Sequence, residues 1–131
     1  MFTSTRGVRA ALTGLSVLAA GAGLLVAPTP AQAAEHVYGA IAISQRTGNT
    51  ASAINYATAT AAKRAAEAKC RASDCQWVVQ MDRNCGAVTQ QPRTLRWGWA
   101  YGPTRRSAEV TAAHHSGSGS RTILWACTAG A

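Results

Sequence analysis

A short pattern that occurs twice constrains the fold of this chain more than any other feature. The segment YGAIA at 38–42 returns as CGAVT at 85–89, forty-seven positions later. Further along the chain the matching positions lie forty-six apart, which requires only one residue gained or lost between the two copies. The duplication predicts two internal half-repeats, at about 38–81 and 85–127.

Each half is predicted to contain two strands, a helix and a third strand. Thr58 or Thr60 can cap the first helix and Thr104 the second, and the alanines of the first helix form a stripe of small side chains that lets it pack close to a sheet. The strands are expected at 38–44, 50–56, 76–81, 86–89, 96–101 and 122–127, and the helices at about 58–70 and 105–115. We predict an α+β fold, in which pseudo-duplicated ββαβ units form one mixed or antiparallel sheet with two helices packed on it and disulfides stabilise the whole.

The first part of the chain has the features of a secretory signal peptide. Arg6 and Arg9 precede an apolar run at 10–26, and Ala31-Gln32-Ala33 supplies a site for signal peptidase. The apolar run is shorter than the roughly 20 residues that a spanning helix prefers, which disfavours a retained anchor. We expect cleavage before Ala34, so that residues 1–33 are the signal and residues 34–131 form a single secreted domain.

Four cysteines in a small exported domain indicate disulfides. Three pairings are possible, and we favour Cys70 with Cys75 because a predicted helix ends and a strand begins on either side of a four-residue turn. That choice leaves Cys85 with Cys127. The spacing of forty-six aligns the first pair with Ser116 and Arg121, and aligns Trp77 with Ile123, so both members of the first pair are absent from the second half. Zinc is disfavoured because the ligand spacing is poor, and we expect no metal or cofactor.

Several short segments together resemble a known family. They are the YGAIA opening at 38–42, the alanine-rich helix ending in Cys70, the CQWVV strand at 75–79, NCGA at 84–87, WGW at 97–99 and WAC at 125–127. The combination is similar to the domain of unknown function 4189 family, small exported bacterial proteins common in actinobacteria. Members often carry a further cysteine pair at the positions of Ser116 and Arg121. Because the family has no agreed activity, the resemblance implies no catalytic residue.

Charge is the first indication of a partner. Without Arg6 and Arg9 the chain carries eleven basic and five acidic residues, a net charge of +6, which favours association with polyanions such as wall polymers, anionic lipid head groups or nucleic acid. Arginines flank an aromatic strand, and guanidinium groups beside aromatic rings suit phosphate or base contacts. The candidate ligand-binding residues are Arg93, Arg96, Trp97, Trp99, Arg105 and Arg106. The alternative is that the charge serves only solubility.

The tryptophans can be explained in two ways. Trp97, Trp99 and Tyr101 recur at period two on one face of a strand, where exposed rings could stack on sugars or bases. Such a stripe can equally be core, since the chain has one Phe, at position 2, and tryptophans are its main bulky side chains. We favour burial for this stripe, and expect Trp77 and Trp125 in the core as well.

The histidine pair His114-His115 could serve a hydrolase, but recognisable partners are absent from the sequence. It has no Gly-x-Ser-x-Gly or His-Glu-x-x-His motif, and its carboxylates are scattered. The competing interpretation is a solvated helix C-terminus. A pocket that joins His115 to Asp74 or Glu109 would favour an enzyme, and an exposed aromatic face without an acidic cleft would favour binding.

The sequence thus predicts a secreted, non-enzymatic binding or cell-envelope-associated module for an anionic or polysaccharide ligand. Expected partners are an anionic polymer, a wall polysaccharide or a membrane surface, with no specific nucleic-acid motif and a monomeric chain. The alternatives are a small secreted hydrolase using His114 or His115, and an effector or inhibitor that binds a protein.

Overall fold

The computed structural model describes residues 35–131, so the predicted signal peptide at 1–33 lies outside the described residues. Neither helix in the described part of the chain is long and apolar enough to cross a membrane. In chain order, the elements are β1 (Tyr38–Ile43), β2 (Thr50–Tyr56), α1 (Ala59–Cys70), β3 (Gln76–Asp82), β4 (Cys85–Gln90), β5 (Trp97–Gly102), α2 (Arg105–Ser116) and β6 (Arg121–Cys127).

The six strands form two antiparallel sheets of three strands each, one from each half. Their orders are β2-β1-β3 and β5-β4-β6, with β1 and β4 central. The α+β class and the duplicated ββαβ pattern are confirmed, but the six strands are divided between two sheets where one sheet was expected. The physical reason is that β1 and β4 are apolar on both faces, so a helix covers one face of each sheet and the other sheet covers the second face.

The two sheets pack face to face, and each helix covers the outer face of its own sheet. Side chains between the sheets include Ile41, Ile43, Val79, Met81 and Val88. On the outer faces, alanines of β1 and β4 pack against alanines of α1 and α2. β1 lies over β4, β2 over β6 and β3 over β5, the arrangement that a two-fold axis between the halves produces.

The helices begin and pack at equivalent residues in the two halves. The Thr58 hydroxyl accepts from the backbone N–H of Ala61, and the Thr104 hydroxyl accepts from that of Ser107, both at 3.1 Å. These caps satisfy backbone donors that a helix N-terminus leaves free. The residues that each helix buries lie forty-six positions apart: Ala62, Ala66 and Cys70 in α1, and Ala108, Ala112 and Ser116 in α2.

The structure shows where the spacing between equivalent residues of the two halves changes. The change from forty-seven to forty-six is a bulge in β2, where Asn55 has a positive φ of 64°. The third strands match at forty-five, since Gln76 pairs with Ile43 and Arg121 pairs with Gln90. The predicted alignments of Cys75 with Arg121 and of Trp77 with Ile123 are therefore wrong by one residue, because the loop before β6 is shorter by one.

The structure contains two disulfides, Cys70–Cys75 and Cys85–Cys127. The first joins the end of α1 to the residue before β3, and the second joins cross-strand partners in β4 and β6. With the corrected spacing, Cys75 corresponds to Ser120. The Ser116 hydroxyl donates to the Ser120 hydroxyl at 2.6 Å, so a hydrogen bond takes the place that a disulfide has in the first half.

Candidate functional site

An aromatic groove lies between β3 and β5, the edge strands that face each other on one side of the sandwich. It has a volume of about 640 Å³. The side chains that give it chemical character are Trp77 and Gln80 from β3, Trp99 and Tyr101 from β5, and Thr111 and His115 from α2. Apolar rings and a few polar groups converge here, which is the usual composition of a small-molecule site.

Trp77 is held at the groove by helix α1. Its backbone N–H donates to Oε1 of Glu67 at 3.0 Å, and Nζ of Lys63 lies 3.8 Å from the centre of its ring. The side chain is 42% exposed. Trp125 is 41% exposed, and the Arg105 guanidinium lies 4.0 Å from its ring centre. Both rings therefore lie under a cation at the surface.

The expectation that Trp77 and Trp125 belong to the core is wrong. Between the sheets, the space is filled by smaller branched side chains and Met81, and on the outer faces alanines hold the helices close to the strands. Neither Trp77 nor Trp125 belongs to these layers. Both tryptophans lie on the third strand of their half, which is an edge strand, so they can lean out over the helix.

The aromatic stripe of β5 is divided between core and surface. Trp97 and Trp99 are half-buried and pack against the cluster between the sheets, whereas Tyr101 is 66% exposed. The alternate residues Gly98 and Gly102 approach α2 instead. Trp99 thus has a structural role and also presents part of its ring to the groove, where Tyr101 extends the aromatic surface toward solvent.

His115 and His114 belong to different surfaces. Nδ1 of His115 lies 3.1 Å from the Trp99 carbonyl oxygen. Because a carbonyl only accepts, Nδ1 donates in this contact, and Nε2 of a neutral ring remains as an acceptor. His114 lies in a separate depression of about 440 Å³ beside residues 117–120.

The groove does not join His115 to either expected carboxylate. Glu109 forms an ion pair with Nε of Arg105 at 3.2 Å, and Asp74 lies in another depression beside Gln76. The Ser44 hydroxyl donates to Asp74 at 2.6 Å, and this bond, with help from Arg46, holds the pKa of Asp74 below its ordinary value. Asp74 is therefore suited to a structural role, in which its carboxylate links two loops.

The predicted arginine set is separated into two groups. Arg93 and Arg96 lie in the loop before β5, while Arg105 and Arg106 begin α2 after β5, and all four are exposed. A strand of six residues spans roughly 17 to 20 Å, so the two pairs lie at opposite ends of the sandwich. The structure brings Trp99 to the groove, but not these arginines.

Metal ligands are not clustered in residues 35–131, where no three His, Cys, Asp or Glu side chains come together. Sequence reasoning did not assign Trp77, Gln80, Thr111 or His115 to a shared surface. A signal was present, because the corrected spacing of the third strands aligns Trp77 with Thr122 and the spacing of forty-six in the helices aligns His115 with Lys69, so that the two halves differ at these positions.

Comparison with known proteins places the chain by family and fold. Residues 38–127 match the model of a domain of unknown function, DUF4189. Among solved structures, the chain is similar to the NMR structure of Rv1813c from Mycobacterium tuberculosis, with 26% sequence identity and a TM-score of 0.54. The match covers 95% of this chain and 99% of that one. No curated protein matches the chain.

Proposed function

The chain belongs to the DUF4189 family, whose description gives no activity, and we propose that it is a binding module whose aromatic groove holds a saccharide chain. A sugar ring has an apolar face that stacks on an aromatic ring and hydroxyls that need hydrogen-bond partners. Trp77, Trp99 and Tyr101 offer the rings, while Gln80, Thr111 and His115 offer donors and acceptors.

The two halves of the fold provide an internal comparison, and this observation carries the proposal. On the opposite side of the sandwich, β6 and β2 form the equivalent pair of edge strands. There, Thr122 takes the place of Trp77 and Ser52 takes the place of Trp99. The same fold is therefore built without aromatic rings at these positions, which supports a role in binding for the rings on the other side.

The charge around the groove favours a neutral or weakly acidic saccharide. No carboxylate or guanidinium group lines it, and the Lys63 ammonium lies above Trp77, one of its lining residues. In residues 35–131, Lys63 forms no ion pair. It could therefore pair with an acidic substituent at one end of a bound sugar chain. We favour binding over hydrolysis because His115 has no carboxylate beside it in the groove.

The test compares Trp77→Ala with Trp125→Ala. The two rings have similar exposure and each lies under a cation, but only Trp77 lines the groove. We expect Trp77→Ala to weaken binding of N-acetylglucosamine oligosaccharides or soluble peptidoglycan fragments at least about ten-fold, through lost stacking, and Trp125→Ala to leave it unchanged.

Isothermal titration calorimetry across a salt series would measure both variants. Binding that survives high salt and depends on Trp77 supports the groove. Equal losses in the two variants would contradict it, and so would the absence of binding to every saccharide tested. Binding that disappears at moderate salt would instead reflect the net charge alone.

We also propose that the protein is exported and processed before Ala34. The two disulfides are consistent with an oxidising compartment. Expressed with its own N-terminus in a secreting bacterial host, the protein should reach the medium with the mass of residues 34–131, measured by mass spectrometry. Ala33→Trp should block cleavage, because the peptidase site requires a small residue. Full-length protein retained inside the cells with Ala33 intact would refute export.

A further inference from the structure

Four loops gather at one end of the sandwich, which we call the loop end. The turn between β3 and β4 contains only two residues, 83 and 84, so β4 starts where β3 stops and runs in the same direction as β1. The loops at 44–49, 71–75, 91–96 and 117–120 consequently share the loop end. The turn at 83–84 and the beginnings of both helices lie at the opposite end.

Most of the net charge lies at the loop end. The exposed arginines there are Arg46, Arg71, Arg93, Arg96 and Arg121. The single carboxylate of this end, Asp74, is 3.7 Å from Arg46. Elsewhere, Arg83 pairs with Glu35 and Asp82, and Arg105 pairs with Glu109. Within residues 35–131, four arginines of the loop end are therefore left without an acidic partner.

An exposed leucine, Leu95, lies in the loop that carries Arg93 and Arg96. The hairpin loops at 44–49 and 91–96 have the same backbone, because the N–H of Gly48 donates to Ser44 and the N–H of Leu95 donates to Gln91, each at 2.8 Å. Gly48 has a φ of 82° and Leu95 a φ of 62°. A left-handed conformation is unfavourable for leucine. The Leu95 side chain is also 63% exposed to solvent. The hairpin imposes this φ, and glycine in the matching loop adopts it without strain, so the turn itself does not require a leucine here.

The loop that carries Leu95 is firmly built. The side chain of Gln91 accepts from the backbone N–H of Thr94 at 3.2 Å and donates to the Ser118 carbonyl at 3.0 Å. The side chain of Gln90 donates to the Leu95 carbonyl at 3.2 Å. Leu95 is thus presented in a fixed position between Arg93 and Arg96, and ordering it on a partner needs little further loss of entropy.

We propose that the loop end docks on an anionic lipid bilayer. Leu95 enters the boundary between head groups and acyl chains, and the surrounding arginines pair with lipid phosphates. A soluble polyanion would engage the arginines but would gain nothing from an exposed leucine, which is why the observations favour a bilayer. This surface is separate from the aromatic groove, and neither proposal requires the other.

The first test is co-sedimentation of the oxidised protein with vesicles of phosphatidylcholine alone or mixed in equal parts with phosphatidylglycerol. We expect binding only to the anionic vesicles, and Leu95→Gly should weaken it about ten-fold. Glycine suits a positive φ, so the melting temperature of Leu95→Gly should stay the same or rise. If Leu95 had only a structural role, Leu95→Gly would not lower vesicle binding while leaving the melting temperature unchanged or raised.

Matched variants separate the apolar and the ionic contributions. Tyr101→Ala removes a side chain of similar exposure away from the loop end and should leave vesicle binding unchanged. Arg93→Gln should weaken binding about five-fold at low salt, whereas Arg106→Gln, at the other end, should have no effect.

Two results would overturn the proposal. One is the absence of binding to anionic vesicles. The other is vesicle binding that is unaffected by Leu95→Gly, together with equally tight, arginine-dependent binding to single-stranded DNA. The second result would identify the loop end as a general polyanion surface.

Discussion

Replacing both Cys85 and Cys127 by serine should lower the free energy of unfolding by about 4 kcal/mol. The bond joins residues 42 positions apart and links β4 to the last strand of the chain, so its loss frees a long segment in the unfolded state. For a domain of this size, that corresponds to a decrease in melting temperature of roughly 15 to 30 °C. Thermal unfolding followed by circular dichroism under oxidising conditions would measure it.

The paired variant Cys70→Ser with Cys75→Ser is the matched control. Its residues are only 5 positions apart, and the same chain-entropy argument gives about 2 kcal/mol. The second half already holds the equivalent junction with hydroxyl groups, at Ser116 and Ser120. His115→Ala, at an exposed side chain, should change the melting temperature far less than either pair. Equal losses for the two disulfides would contradict the loop-length argument.

The sequence predicted the elements well because local signals define them. Thr58 and Thr104 cap the helices, and stripes of alanine mark the faces that pack on the sheets. The division into two sheets was missed, although β1 contained a clue. Ala40 and Ala42 alternate with Ile41 and Ile43, so that both faces of the strand are apolar. One face is covered by α1 and the other by the second sheet, whereas helices on one face alone would have left isoleucines in water.

The site was harder to predict because it depends on register and on distance in space. One residue fewer before β6 changes every equivalence in the third strand, and it hid the contrast between Trp77 and Thr122. The arginines near β5 are close in sequence, but the length of the strand separates them. The sequence did not single out Leu95, because its significance depends on the loop conformation that it has in common with Gly48. Composition does not reveal a positive φ.

Gly98→Ala should be the most damaging small substitution on the second sheet. A Cβ at this position would overlap the Ala112 carbonyl oxygen and lie 2.6 Å from the backbone nitrogen of Ser116. Both atoms belong to the backbone of α2, so relief requires the helix to move away from β5. We expect a loss of about 3 kcal/mol, the upper part of the range for overpacking, measured by urea denaturation.

Gly48→Ala is the control, because it tests a glycine without a steric contact. Nothing lies within 4 Å of a Cβ there, and only its positive φ resists substitution, which costs about 1 kcal/mol. The difference between the two variants isolates the close approach of α2 to β5. That approach also positions Thr111 and His115, which line the groove with Tyr101, so Gly98→Ala should weaken saccharide binding even where the protein remains folded. If Gly98→Ala costs no more than Gly48→Ala, α2 does not rest directly on β5, and the helix side of the groove is not fixed by this contact.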